Sequence, residues 1–313
     1  MSKQKQQYRI RNWRAYNAAL VERGSLTVWF EDSHRARWYE TARSGRRGAP
    51  RRYSDIAVQC GLVIREVFHL PLRATEGLMQ SLVTLLGADL AVPDHSTFSR
   101  RAAALTVQIK RCGSKQPRDI VIDSTGLKVY GAGEWHAHRY GKPRRTWRQL
   151  HLAVDANTHE VIAAELTMDT VGDPTVFPDL LEQLPPEEPI ASVVADGTYD
   201  TWNCHQTLLE HQADALIPPR GTAVAWPPQA HGQPHPRTAI LEYRQQHGEE
   251  AWKIHSGYHC RSLAETAMFR FKTLFGERLS NRRFDTQTTQ AYARLAAMNI
   301  MTQLGMPDTV AVC

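Results

Sequence analysis

Apolar residues recur at helical spacing through the first third of the chain and change to short alternating runs near residue 117. Trp13, Tyr16, Ala19 and Leu20 predict a short amphipathic helix within Tyr8 to Arg23. Ser54-Asp55 can cap a helix to about His69 carrying Ile56, Val58, Leu62, Val63 and Phe68, and Pro71 ends it. Leu78, Leu82 and Leu85 share a face of a helix over Ala74 to Leu86, which Gly87 stops. A third begins at Pro93-Asp94-His95-Ser96-Thr97, with Phe98, Ala102 and Leu105 facing inward and Arg100 and Arg101 outward. Helix, turn and basic helix is the outline of a helix-turn-helix reader, and equally of many all-α domains.

Cys112 to Pro117 marks a boundary, giving a helical region 1–116 and a second region 117–313. Beyond it the pattern predicts five strands: Asp119 to Thr125, Arg148 to Asp155, His159 to Thr167, Ile190 to Ala195 and Ala213 to Ile217. Helices fit Pro174 to Leu184 and Tyr199 to His211 between them, and Asp285 to Leu304 at the end. The order is that of a mixed α/β fold with flanking helices. Residues 218–250 hold six of the 17 prolines and read as an irregular insertion.

Ser256-Gly257 then opens a run without Gly or Pro up to Gly276, predicting one continuous helix. At about 100° per residue, Tyr258, Arg261, Glu265 and Lys272 fall within a strip about 60° wide. Leu263, Ala267, Phe271 and Leu274 project to the other side, where a core would take them. Such a strip suits a phosphate-rich substrate, and it equally suits a plain surface with an Arg261–Glu265 ion pair.

Charge divides the chain. Residues 1–116 carry 20 Lys and Arg against 9 Asp and Glu, whereas the remainder carries 18 against 23. A basic half joined to an acidic half suggests nucleic-acid binding by the first. The segment 43–52 has five arginines, two glycines and a proline, and reads as a mobile arm that either contacts phosphate or serves as a linker. No apolar run approaches the ~20 residues of a membrane span, and no apolar signal core follows the N-terminus. Five scattered cysteines without a Cys-x-x-Cys pair point to a reducing cytoplasm and argue against disulfides or a cysteine-built zinc site. His136-x-His138 and His231-x-x-x-His235 have ligand spacing, but no cysteine completes either at zinc-site spacing.

Two predicted strands lead into an acid, Asp123 and Asp196. Singly, Asp123 before Ser124-Thr125 reads as an Asx turn and Asp196-Gly197 as a turn dipeptide. With Glu265 they make three hard oxygen donors able to meet in one cleft, the ligand type that Mg²⁺ or Mn²⁺ prefers. His151, on the second strand, is placed either to orient DNA or a metal-bound water, or to act as a hydrogen-bonded sheet histidine.

At these residues the chain resembles the bacterial insertion-sequence DDE transposases of family five, whose signature is Tyr-Arg-Glu-Lys. Tyr258, Arg261, Glu265 and Lys272 carry its spacing. Asp123 to Tyr130, Trp147 to Asp155, Ala195 to Asp200 and Ile217 to Arg220 are similar to its neighbouring blocks, in order. The resemblance implies a ribonuclease-H-like catalytic fold with Asp123, Asp196 and Glu265 holding two Mg²⁺ or Mn²⁺ ions. It implies that Tyr258, Arg261 and Lys272 engage double-stranded DNA near the scissile phosphate, and that residues 1–116 read terminal inverted repeats. Arg144, Arg145 and Arg148, with Arg100 and Arg101, are expected DNA contacts. The expected activity is cleavage at element ends and strand transfer of 3′-hydroxyls into target DNA, by a homodimer or larger assembly in the bacterial cytosol. An idle DNA-binding repressor derived from such an enzyme, or a nuclease of the same fold, remains the alternative. The chain departs from the family at Glu134 to His138, where similar sequences are more basic, and at Trp202, either a packed indole or a platform for an unpaired base.

Overall fold

The computed structural model describes residues 7–30, 32–41, 51–129, 147–228 and 233–312. In chain order the elements begin with β1 (Gln7–Ile10), α1 (Trp13–Glu22), α2 (Leu26–Trp29), α3 (Asp32–Ala36), α4 (Asp55–Val67), α5 (Leu72–Leu85) and α6 (His95–Ala102). There follow β2 (Arg118–Val129), β3 (Trp147–Asp155), β4 (Val161–Met168), α7 (Asp173–Glu182), β5 (Ile190–Val194), α8 (Trp202–Glu210) and β6 (Asp214–Leu216). The chain closes with α9 (Pro236–His247), α10 (Glu249–Ser256), α11 (Ser262–Phe275), β7 (Arg278–Leu279), α12 (Phe284–Leu304) and β8 (Thr309–Val312). No helix among the described residues is long and apolar enough to cross a membrane.

Two compact units result: Met1–Lys110 with Arg283–Cys313, and Arg111–Arg282. The first unit thus takes in the C-terminal residues as well, where the sequence pattern places a single boundary at 116. Long α12 packs along α4, and polar pairing fixes it there. Glu66, buried on α4, accepts from Arg294 Nε at 2.7 Å and from Gln290 Nε2 at 3.1 Å. A buried carboxylate is tolerated only with such partners, so α4 and α12 must fold as one body. The two chain ends meet as well, β1 and β8 forming an antiparallel ribbon with Tyr8 opposite Ala311. Neither short strand carries a strong periodic signal, and residues 8–10, within the stretch expected to be helical, pair with the C-terminal strand instead.

In the same unit Ser54 Oγ accepts from the Ala57 amide at 3.2 Å, capping α4 as the sequence suggested, and Asp94 Oδ1 accepts from the Thr97 amide at 2.8 Å, capping α6. Phe98 is fully buried and Leu105 buried. The outward placement of Arg101 is corrected. Its guanidinium is mostly covered, bonds Asp55 and donates to the Tyr53 carbonyl at 2.8 Å. Arg100 stays exposed.

The second unit is built on a sheet ordered β4-β3-β2-β5-β6, with β7 joining β2 as a sixth member beyond the five predicted. β2, β3 and β4 run as an antiparallel meander, and β5, β6 and β7 run parallel to their partners. This is the mixed α/β sheet with flanking helices that was expected. One face buries Ile120, Ile122, Phe177, Leu180, Tyr199 and Leu208 under α7 and α8. The other buries Val121, Val194, Trp252, Tyr258 and Ala264 under α10 and α11. The Pro-rich segment is not irregular throughout: α9 starts at Pro236, where proline suits the first helical turn.

The Asp94 cap has a testable pH signature. The Ser96 hydroxyl and then the Thr97 amide lower its carboxyl to about 2, below the unfolded value of about 3.9. Its stabilisation is therefore present above about pH 4 and lost as pH falls toward 2. Asp94→Ala should cost about 1 kcal/mol at pH 7, with the penalty shrinking below pH 4 in urea unfolding. A penalty independent of pH would assign it to packing instead.

Candidate active site at a gap in the sheet

β2 is longer than predicted, and its length creates the site. On one side it pairs with β5 at Arg118 to Val121 and with β7 at Lys128 and Val129. Among the described residues no strand borders it there from 122 to 127. Asp123 thus lies inside a strand, facing a gap, rather than at a strand end. β5 finishes beside Val121, so the chain leaving it delivers Asp196 to the same gap. Side chains alternate, so Asp123 shares the face of Val121, toward α11, while Ser124 shares that of Ile122, toward α7.

The predicted continuous helix is instead a tight 3₁₀ turn, Tyr258–Arg261, running into α11. Gly257, with φ of 70°, supplies the left-handed residue that ends α10 before it. Residues three apart eclipse in a 3₁₀ turn, so Tyr258 and Arg261 keep one side and Glu265 follows one α turn later. The strip survives, reshaped. Tyr258 is buried against Trp252, ring centroids 5.2 Å apart, instead of lying open. Lys272 lies half-exposed about two turns beyond Glu265.

Arg261 joins the acids. Its Nη1 donates to Asp123 Oδ2 at 3.2 Å, and its Nη2 bonds Glu265 on the next turn. The Ser124 amide donates to Asp123 Oδ1 at 2.8 Å. Burial pushes the Asp123 carboxyl above its ordinary range; the Ser124 amide and Arg261 pull it down, and Asp196 and Glu265 push it up. The Tyr258 hydroxyl is raised too, by burial first, with Arg261 opposing and Asp196 and Asp123 adding. Asp123, Asp196, Glu265, Arg261 and Tyr258 therefore form one electrostatic neighbourhood.

The donor set fits a divalent ion. Three carboxylates that repel one another around a half-buried position, with oxygen atoms as donors, match Mg²⁺ or Mn²⁺. Among the described residues no three Asp, Glu, His or Cys side chains already stand at ligand spacing. The Arg261 fork bonds oxygens of Asp123 and Glu265.

The turn bearing Asp196 is anchored by residues that sequence reasoning missed. Asp196 Oδ1 accepts from the Thr198 amide at 2.8 Å, and Arg220 donates to the carbonyls of Gly197 and Thr198 at 3.1 and 2.8 Å. Fully buried Asp200 accepts from Arg237 Nη2 at 2.8 Å, the Arg220 amide at 3.0 Å and His205 Nε2 at 3.2 Å. Arg237 also lies over the Trp226 ring, 4.0 Å from its centroid. Its place in the Pro-rich segment hid it; the only signal was a lone Arg beside Pro236. Trp202 is half exposed and packs on Trp226 and His235.

Arg148 is an expected DNA contact on β3. It is 8% exposed and its Nη1 donates to the Trp147 carbonyl at 2.9 Å. Arg144, Arg145, His136 and His138 lie outside the described residues, as do His231 and most of the Arg-rich arm.

Comparison with known families now bears on this geometry. A family profile described as Transposase DDE domain matches residues 114–300, and a second of the same description matches 21–132. The chain belongs to the DDE-domain transposases. The longer match spans β2 to most of α12 of this transposase and contains Asp123, Asp196 and Glu265. Among solved structures, a piggyBac transposase synaptic complex with hairpin DNA is 11% identical. That match covers 91% of this chain and 74% of the other, with a TM-score of 0.39. A Mos1 transposase paired-end complex with left transposon end is 10% identical, covering 75% and 83%, with a TM-score of 0.23.

Asp200→Asn should strand the buried Arg237 charge and cost the transposase about 3–5 kcal/mol in denaturant unfolding. A loss below about 1 kcal/mol, the size of an exposed pair, would show that this buried network does not hold the turn.

Proposed function

We propose that this transposase cuts DNA at the ends of its own element and transfers the freed 3′-hydroxyls into target DNA, in the manner of insertion-sequence family five. The observation that carries the reading is the gathering of Asp123, Asp196 and Glu265 at the β2 gap beside Arg261. In this reading the three acids hold two Mg²⁺ or Mn²⁺ ions. Such ions, when bound, activate the attacking oxygen and stabilise the leaving one in phosphodiester chemistry. Asp123 and Asp196 are set by the sheet and the anchored turn, and Glu265 by α11.

Arg261 offers a planar fork suited to a phosphate, and Lys272 a point charge further along the same helix. Tyr258, packed under the site, fixes the turn that carries Arg261 rather than reaching far into solvent. The basic N-terminal region, with Arg100 on the exposed side of α6, supplies recognition of inverted repeats. Each element end needs one such site, so the working assembly contains at least two copies.

Asp123→Asn, Asp196→Asn and Glu265→Gln should each abolish end cleavage. Each should leave binding to end DNA intact, with log affinity falling against log salt by about 0.9 per phosphate contacted. Gel-based cleavage beside a binding titration checks both. Near-normal cleavage by any one variant would remove that residue from the mechanism, and salt-insensitive binding would remove the phosphate contacts.

A further inference from the structure

In the first unit, α6 is held on three sides and open on the fourth. Phe98 is fully buried against α4, where a Cβ on Gly61 would stand 2.4 Å from its ring. On another side, Arg101 bonds Asp55 and donates to the Tyr53 carbonyl at 2.8 Å. Toward α5, Glu76 accepts from the His95 amide at 2.9 Å and stands 2.8 Å from His95 Nδ1. The open side carries Ser96, Ser99, Arg100 and Ala103, at helical spacings of three and four. Ser99 and Arg100 are exposed, and that stripe holds no carboxylate. The acids around it are committed elsewhere: Glu76 to His95, Asp55 to Arg101 and Asp94 to the Thr97 amide.

The Arg-rich segment is rooted beside this helix. Tyr39 and Tyr53, on either side of it, form an antiparallel bridge with their rings stacked 6.2 Å apart. The Glu40 amide donates to the Arg52 carbonyl at 3.1 Å within the same root. That root grips the stretch of chain that enters α6. Trp38 Nε1 donates to the Ala91 carbonyl at 2.8 Å, and the Ala91 amide donates to the Tyr39 hydroxyl at 2.8 Å. The Tyr53 hydroxyl donates to the Val92 carbonyl at 3.0 Å. Arg51 and Arg52 are exposed at the root, the Arg52 guanidinium lying 5.5 Å from the centre of the Tyr53 ring. One hydrogen-bonded piece of the first unit thus carries Arg51, Arg52 and Arg100.

We propose that α6 enters the major groove of duplex DNA and reads base edges with Arg100 and Ser99, while Arg51 and Arg52 hold the adjoining phosphates. The proposal rests on the reading that the basic N-terminal region recognises the inverted repeats, and it names the surface that does so. A helix of eight residues is about 12 Å long, which matches the ~12 Å width of that groove. The planar fork of Arg100 suits the two acceptors on a guanine edge, and a serine hydroxyl serves a neighbouring donor or acceptor. A merely solvated helix face carries charges of both signs; this stripe has one arginine, two serines and an alanine. Its region carries 20 Lys and Arg against 9 Asp and Glu, complementary to a phosphate backbone. Arg101 takes no part, since its fork already serves Asp55 and Tyr53.

The test uses the full chain without divalent ions, so that no cleavage intervenes. Fluorescence anisotropy follows binding to a duplex carrying the element's terminal inverted repeat and to the same duplex with the repeat shuffled, across a range of salt. The proteins are wild type, Arg100→Ala, Arg100→Lys, Arg52→Ala and Arg73→Ala, the last removing an exposed arginine from α5. All of these side chains are exposed, so the variants keep the fold. Arg100→Ala should weaken binding to the repeat about ten- to a hundredfold and binding to the shuffled duplex far less. Arg100→Lys keeps the charge but loses the fork, and should lose the same preference. Arg52→Ala should weaken both duplexes alike and lower the salt slope by about 0.9. Arg73→Ala should leave the preference intact. A preference for the repeat that survives Arg100→Ala overturns the inference, and one that falls with Arg73→Ala moves the reading to α5. An unchanged salt slope in Arg52→Ala removes the root of the Arg-rich segment from the surface. A wild type that binds both duplexes equally overturns instead the reading of repeat recognition on which the inference rests.

Discussion

Asp123 must keep a carboxylate half out of water while Asp196 and Glu265 push against its charge. Burial and like charge both favour its neutral form. One guanidinium relieves the conflict, with Arg261 holding Asp123 on one side and Glu265 on the other. An exposed i,i+4 pair by itself contributes little. Here the same arginine also reaches a mostly buried aspartate on another element, so the contact ties α11 to the sheet. Like charges at this spacing are relieved by a positive group between them, the place that Arg261 takes here.

The sheet makes that conflict available. β2 outlasts β5 by several residues before β7 takes up its edge, and the gap between them lets side chains approach the strand where a neighbour would stand. Asp196 reaches the gap because the turn after β5 cannot wander: Arg220 holds its carbonyls, and Asp200 with Arg237 buries an ion pair beneath it. Breaking one side of such a pair costs far more than the pair contributes, so the turn is fixed by what would follow from its loss.

Much of this was legible in the residues themselves. The five strands in chain order, the helix cap at Ser54, and the shared side of Arg261 and Glu265 follow from local periodicity and capping chemistry. What escaped reading is what depends on distant partners. Asp173 sits before Pro174 and reads as a helix start; only the fold brings it to Ser124 and His151. Arg237 looks like filler in a proline-rich run until Asp200 is found beneath it. Arg101 reads as an outward cation and Arg148 as a DNA contact, yet each donates to a backbone carbonyl. The last helix reads as the end of the catalytic region because its polar face conceals Arg294 and Gln290, whose partner Glu66 lies 228 and 224 residues away.

The most direct measurement is incubation of wild-type protein with Mg²⁺ and DNA carrying the inverted repeats that flank its own element. Strand-specific gels and sequencing of joined products read the outcome. The account predicts breaks at the element ends and covalent joining of the 3′ ends to target DNA. Specific binding of those ends without any Mg²⁺- or Mn²⁺-dependent cleavage would contradict it and leave a DNA-binding repressor. Cleavage without joining would leave a nuclease.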